Sequence, residues 1–131
     1  MTRATGTFEL ASWAEETFEE TKGGGKLTRA SVTQKFTGDV NGEGAVEWLM
    51  CYASDGTARF VGFQSVHGDI AGRKGSFVLE TRGNFNGKAA TWEAEVVAGS
   101  GTRELSGLVG NGTFGAPHGP TASFDLDYKL E

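Results

Sequence analysis

The chain has 131 residues, which fits one domain, and it carries a formal net charge of −5. Glycine occupies 21 positions and proline only 2. Since an interior glycine costs a helix roughly 1 kcal/mol, this composition excludes a helical bundle. The acidic balance and the lack of a basic stripe argue against nucleic-acid binding, and no apolar run reaches the ~20 residues of a membrane-spanning helix.

The compartment is predicted from the N-terminus and the cysteine count. The first residues lack the apolar core of a signal peptide, and the single cysteine, Cys51, cannot form an internal disulfide. Both features favour a reducing environment. We therefore expect a cytoplasmic protein without a membrane partner.

Alternation of apolar and polar residues recurs in eight runs, which predicts eight β-strands. The runs cover residues 5–12, 27–37, 43–53, 57–67, 73–83, 89–97, 103–114 and 121–130. Glycine-rich turn sequences separate them, and no helix longer than a turn or two is expected. The acidic segment 14–22 is either an extension of the first strand or an edge loop.

Asn-Gly and Asp-Gly pairs at 41–42, 55–56 and 86–87 favour two-residue hairpin turns, and such turns fix the strand register. The first turn sets Phe36 opposite Glu47, and the second sets Cys51 opposite Phe60. Because opposed residues share one face of a sheet, the predicted interior wall has twelve members on three strands. They are Ala30, Val32, Gln34, Phe36, Ala45, Glu47, Leu49, Cys51, Phe60, Gly62, Gln64 and Val66.

Eight consecutive antiparallel strands with one apolar face form either a closed barrel or a sandwich. Hairpin follows hairpin without a long crossing connection, which favours an up-and-down β-barrel that closes on itself. The interior of an eight-stranded barrel is filled by side chains or holds one small ligand. The predicted fold is thus all-β, a single eight-stranded antiparallel barrel over residues 1–131.

Four stretches resemble a bacterial family of small proteins of unknown function. They are residues 27–34 (LTRASVTQ), 47–50 (EWLM), 75–79 (GSFVL) and 99–108 (GSGTRELSGL). Members of that family look like the allene oxide cyclase barrel, a fold shared with plant dirigent proteins. The resemblance implies an apolar lumen that cyclises, isomerises or steers reactive apolar molecules. It does not carry over the plant cyclase's catalytic glutamate and asparagine motif, which has no counterpart in this sequence.

The predicted interior contains a polar trio, Glu47, Gln34 and Gln64, on an otherwise apolar wall. A carboxylate in such a place is desolvated, so its pKa should rise, which suits a general base or a polarising group. Glu47 is the candidate catalytic residue. The candidate ligand-binding residues are Gln34, Gln64, Phe36, Leu49, Phe60, Trp92 and Tyr128. As alternatives, Glu47 is a structural carboxylate hydrogen-bonded to the amides or a rim residue in water, and Trp92 and Tyr128 only fill the core.

Other features have simpler interpretations. A buried Cys51 without a histidine on its face is an inert apolar residue. His67 is expected outside and His118 in the loop 115–120, a possible lid, so we expect no metal and no cofactor. Outward Trp48, Met50, Val61 and Phe63 predict a homo-oligomer contact unless segment 14–22 covers them.

Three functions are compatible with these residues. The first is binding of one small, mostly apolar molecule in the lumen, with isomerase or cyclase chemistry at Glu47. The second is a carrier or sensor of an apolar metabolite without catalysis. The third is a structural or interaction protein whose barrel is filled by side chains. An open lumen beside Glu47, where Gly62 leaves room, would favour the first two.

Overall fold

The computed structural model describes residues 1–116 and 122–131. In chain order the strands are β1 (Thr2–Glu20), β2 (Lys26–Gly38), β3 (Val40–Tyr52), β4 (Ala58–Ile70), β5 (Arg73–Phe85), β6 (Ala90–Val96), β7 (Leu108–Ala116) and β8 (Ala122–Leu130). Each pairs antiparallel with its neighbours in sequence, and β1 with β8 closes the barrel. The predicted eight-stranded up-and-down barrel is confirmed. Within the described ranges, no helix is long and apolar enough to cross a membrane.

Strand β1 is longer than predicted, because segment 14–22 begins as strand and β1 ends only at Glu20. Two β-bulges interrupt it, one between Leu10 and Ser12 and one between Thr17 and Glu19. Its pairing with β8 covers only Thr2–Phe8, and the rest of β1 pairs with β2 alone among the described strands. The second half of β1 therefore extends beyond the closed part of the barrel.

Aromatic rings fill the barrel interior. Seven buried rings contact one another with centroids 4.8–6.3 Å apart: Phe8, Phe36, Trp48, Phe60, Trp92, Phe114 and Phe124. Burial of such rings is the main apolar contribution to the stability of this core. At the end of the barrel that carries the β4–β5 and β6–β7 connections, the short 3-10 helix Arg103–Leu105 adds the fully buried Leu105.

The predicted orientation of β3 is wrong. The structure pairs Phe36 with Gly42 rather than with Glu47, and this odd-numbered shift turns β3 over. The reason lies in the turn, which occupies Gly38 to Val40 instead of 41–42. Gly38 has a φ of +124°, and the side chain of Asn41 donates a hydrogen bond to the Gly38 carbonyl oxygen at 2.8 Å. Asn41 thus stabilises the turn from within β3.

The other hairpins keep the predicted faces. Residues 53–57 join β3 to β4, with the Ala53 amide donating to the Thr57 carbonyl oxygen, and the β3–β4 register differs by one residue from the predicted one. This second odd shift cancels the first, so β4 faces as predicted. In the β5–β6 pair, Leu79 lies opposite Val96, whereas a turn at 86–87 would place Phe77 there. This difference of two residues leaves the inward face of each strand as predicted. The ligand-site candidates on these strands and on β8 lie inside: Phe60, Gln64, Trp92 and Tyr128.

Candidate functional site

Glu47, the candidate catalytic residue, lies on the outer surface. Its side chain is 50% exposed and accepts a hydrogen bond from Arg29 Nη2 at 2.7 Å. The Ser31 hydroxyl and the Arg29 guanidinium lower the pKa of the Glu47 carboxyl. The prediction of a desolvated carboxylate with a raised pKa is wrong, because the inverted β3 directs Glu47 away from the lumen.

The same inversion moves four further residues of β3. Leu49 is 54% exposed and does not line the lumen, and Cys51 is exposed instead of buried. Conversely, Trp48 and Met50 are buried in the interior. They are therefore not part of an outer patch.

Two residues of the predicted patch, Val61 and Phe63, are exposed, and Leu49 is the cross-strand partner of Val61. Gly62, the predicted source of a cavity, provides none. A Cβ atom there would lie 2.9 Å from Trp48 Cδ1, so the Trp48 indole occupies that space.

Gln34 and Gln64 face each other across the interior side of β3. Both are fully buried, and Gln64 Nε2 donates a hydrogen bond to Gln34 Oε1 at 2.6 Å. Gln34 Nε2 and Gln64 Oε1 have no partner in the described part of the chain. Reversing both amides would exchange the roles of the atoms, but one donor and one acceptor would still be unpaired.

The surroundings of this amide pair are apolar. Gly44 is the cross-strand partner of Gln34, and its missing side chain leaves room for the Gln34 amide and the Phe36 ring. A Cβ atom at position 44 would lie only 2.6 Å from Phe36 Cε2 and 3.0 Å from Gln34 Oε1. By contrast, the buried Thr81 is satisfied: its hydroxyl accepts from Trp48 Nε1 and donates to a backbone carbonyl oxygen, both at 3.0 Å. The Gln34–Gln64 pair therefore has unpaired hydrogen-bonding atoms, whereas the hydroxyl of Thr81 has none.

The amide pair lies close to the end of the closed wall. Leu10 on β1 is the cross-strand partner of Gln34 and is 49% exposed. The pairing of β1 with β8 ends two residues before Leu10, at Phe8 and Ala122.

A third polar cluster, which the sequence interpretation missed, lies where β1 leaves the barrel wall. Glu15 Oε2 accepts hydrogen bonds from the Thr28 hydroxyl at 2.6 Å and the Tyr52 hydroxyl at 2.8 Å, and Glu15 Oε1 accepts from Trp13 Nε1 at 3.0 Å. The first bulge of β1 moves odd-numbered residues to the inner face, an irregularity that strict alternation does not predict.

These contacts shift two pKa values. Partial burial acts to raise the pKa of Glu15, but the hydrogen bonds from Thr28, Tyr52 and Trp13 outweigh it and lower the pKa. Burial and then the hydrogen bond to Glu15 raise the pKa of Tyr52 to about 12. At neutral pH the pair is therefore an ionised carboxylate held by a neutral phenol.

The histidines add no site. His67 is exposed on the outer face, as predicted, and His118 with most of the loop 115–120 lies outside the described residues. Among the residues that the structure describes, no cluster of His, Cys, Asp or Glu has the arrangement of metal ligands.

Comparison with known proteins supports the fold and gives no activity. A family model described as "Protein of unknown function (DUF3224)" matches residues 4–128. The crystal structure of a DUF3224 protein of unknown function from Shewanella oneidensis MR-1 is similar, with a TM-score of 0.86 and 28% sequence identity. The match covers 100% of this chain and 98% of the other. No curated protein matches the chain. The likeness to allene oxide cyclase stays a prediction.

Proposed function

The chain belongs to the DUF3224 family, whose function is unknown, and we propose that its barrel binds one small, mostly apolar molecule in the interior. The observation that supports this proposal is the buried amide pair. Gln34 and Gln64 are fully buried, and each has a polar atom without a partner.

Unpaired polar groups in a protein interior lower the free energy of unfolding. A buried donor or acceptor without a partner costs about 1–3 kcal/mol, and native proteins contain few of them. A ligand group that both accepts and donates, such as a carboxylic acid or a primary amide, would pair with Gln34 Nε2 and Gln64 Oε1 together. Because aromatic rings fill the interior, binding requires Phe36, which lies beside Gln34 at Gly44, to move aside, and its ring would then contact the apolar remainder of the ligand.

Binding without catalysis fits these residues better than isomerase or cyclase chemistry. Glu47, the intended acid or base, is outside the lumen. The buried polar residues of the described chain are Thr28, Gln34, Gln64 and Thr81, and none of them carries a carboxylate, an imidazole or an amine. Binding an apolar metabolite as a carrier or sensor does not require such a catalytic group, so the buried residues suffice for that function.

Mass spectrometry of the protein under native conditions tests the proposal. We expect a bound small molecule in the purified protein and its loss from the Gln34→Leu/Gln64→Leu double variant. Replacing both partners by apolar groups of similar size should leave the fold nearly as stable. Glu47→Ala is the control and should retain the molecule.

Two outcomes would contradict the proposal. One is a single ordered water bridging Gln34 and Gln64 in a high-resolution crystal structure, with no added mass on the protein, because a water would then satisfy both amides. The other is a bound molecule that the double variant retains and Glu47→Ala loses.

A further inference from the structure

In the described part of the chain, the second half of β1 is a sheet edge. Residues 9–20 lie beyond the last pair with β8, and β2 is their only strand partner in the described chain. Their other side presents backbone N–H and C=O groups of an extended strand. Such an edge is a template for pairing with another extended chain.

Exposed apolar side chains are concentrated on this edge. Leu10, Trp13 and Phe18 are 49%, 45% and 60% exposed, respectively. Leu10 and Trp13 lie opposite the inward-facing Gln34 and Val32 of β2, so they belong to the inner face of the sheet. A strand added beside β1 would place alternate side chains against them.

The edge is held in a fixed position rather than frayed. Glu15 joins it to β2 and β3 through the hydroxyls of Thr28 and Tyr52, and the Trp13 ring lies 6.1 Å from the Trp48 ring of the core. A strand that is already ordered loses little conformational entropy when it gains a partner.

The charge of the edge selects the partner. Residues 9–20 contain five glutamates and no lysine or arginine. Glu9, Glu16 and Glu19 lie on the outer face, opposite Lys35, Arg29 and Leu27 of β2. Among the described residues Arg29 forms its ion pair with Glu47 and not with Glu16, so the Glu16 carboxylate stays available to a partner. A second copy of the same edge would set glutamates against glutamates, which is unfavourable, whereas lysine or arginine would be attracted.

We propose that this edge binds an extended, basic segment of another protein as an added antiparallel strand. The segment alternates apolar side chains, which contact Leu10 and Trp13, with lysine or arginine side chains, which contact the outer glutamates. Backbone hydrogen bonds supply the pairing, and the alternation of charge and apolar surface supplies the selectivity. The inference is independent of the ligand in the barrel interior.

Calorimetric titration with a short acetylated and amidated peptide that alternates lysine with valine tests the proposal. We expect one peptide per chain and added protection of amides in residues 10–20 against hydrogen exchange. Glu16→Gln/Glu19→Gln should weaken binding about fivefold, from two exposed ion pairs. Glu93→Gln/Glu95→Gln removes the same charge from exposed positions of β6 and should bind as the parent does.

A second peptide separates strand addition from simple charge attraction. N-methylation of alternate residues along the pairing edge of the peptide removes its backbone donors and keeps its charge, so it should abolish binding. Equal affinity for the methylated peptide, or equal weakening by the two pairs of substitutions, would overturn the proposal. So would a dimer in light scattering in which residues 10–20 are already protected, because the edge would then bind a second copy.

Discussion

Replacement of Trp48 by alanine tests the orientation of β3, on which the placement of every candidate on that strand depends. Trp48 is 3% exposed, and its ring lies 4.8 Å from Phe60 and 5.0 Å from Trp92. The neighbouring Leu49 is 54% exposed and provides the matched control. Had the hairpin turn been at 41–42, the two residues would exchange places.

The expected loss follows from burial. Truncation of a buried tryptophan to alanine costs about 3–5 kcal/mol. The indole of Trp48 also donates to Thr81 at 3.0 Å, so that hydroxyl oxygen loses a donor in the variant. With an unfolding entropy of about 2.1 cal/mol/K per residue, a chain of this length loses roughly 4 °C of Tm per kcal/mol, or about 12–20 °C in total. Truncation of exposed Leu49 should change the free energy of unfolding by no more than ~0.5 kcal/mol.

Urea denaturation followed by circular dichroism, together with thermal melts, measures both variants. The hydrogen bond can be isolated by a double-mutant cycle of Trp48→Phe and Thr81→Val, for which we expect a coupling of about 1 kcal/mol. A larger loss in Leu49→Ala than in Trp48→Ala would refute the orientation of β3. It would also return Glu47 to the interior.

Gly62 gives a prediction about packing, and the Glu15 cluster gives two predictions about ionisation. A methyl group at Gly62 would lie 1.9 Å from a backbone carbonyl oxygen, so Gly62→Ala should lose about 2 kcal/mol or more of unfolding free energy. Gly115→Ala, where no atom of the described residues lies within 4 Å of the added methyl group, should lose almost none in the same urea titration. The lowered pKa of Glu15 means that its ionised form stabilises the fold at neutral pH and that this contribution is lost as the pH falls through the folded pKa. The Tm difference between the parent and Glu15→Gln should therefore shrink on acidification, and an unchanged difference would contradict the hydrogen-bond network. Tyr52 should ionise near pH 12, measured as the alkaline absorbance difference from Tyr52→Phe.

The fold could be predicted because it depends on features that are local in sequence. Eight alternating runs and short glycine-containing connections leave few arrangements other than a meander, and closure removes the sheet edges except along the second half of β1. The one long departure is β1, where the acidic segment continues the strand to Glu20. Alternation could not predict this, because the bulge at Leu10–Ser12 breaks the period just where the strand leaves β8.

The candidate site was less predictable, because it depends on which face of each strand points inward. Gln34 and Gln64 were placed correctly, since two odd register errors cancel between β2 and β4. Glu47 was misplaced, because only one of those errors acts on β3. The Glu15 cluster could not be found from spacing at all, since it joins residues of β1, β2 and β3 that only the folded barrel brings together.

The glycines that first indicated a β protein also contain the information that corrects the register. Three inward glycines pair directly with aromatic residues on the next strand: Gly6 with Phe124, Gly62 with Trp48 and Gly83 with Trp92. A Cβ atom would lie 2.9 Å from the Phe124 ring at Gly6, 2.9 Å from the Trp48 ring at Gly62 and 2.5 Å from Trp92 Cβ at Gly83, so each aromatic side chain lies over the space that its glycine leaves. An aromatic residue opposite a glycine is a favourable cross-strand pair. The Asp-Gly turn rule sets Gly62 opposite Leu49, whereas the pairing preference selects Trp48, and with that choice β3 takes its observed orientation.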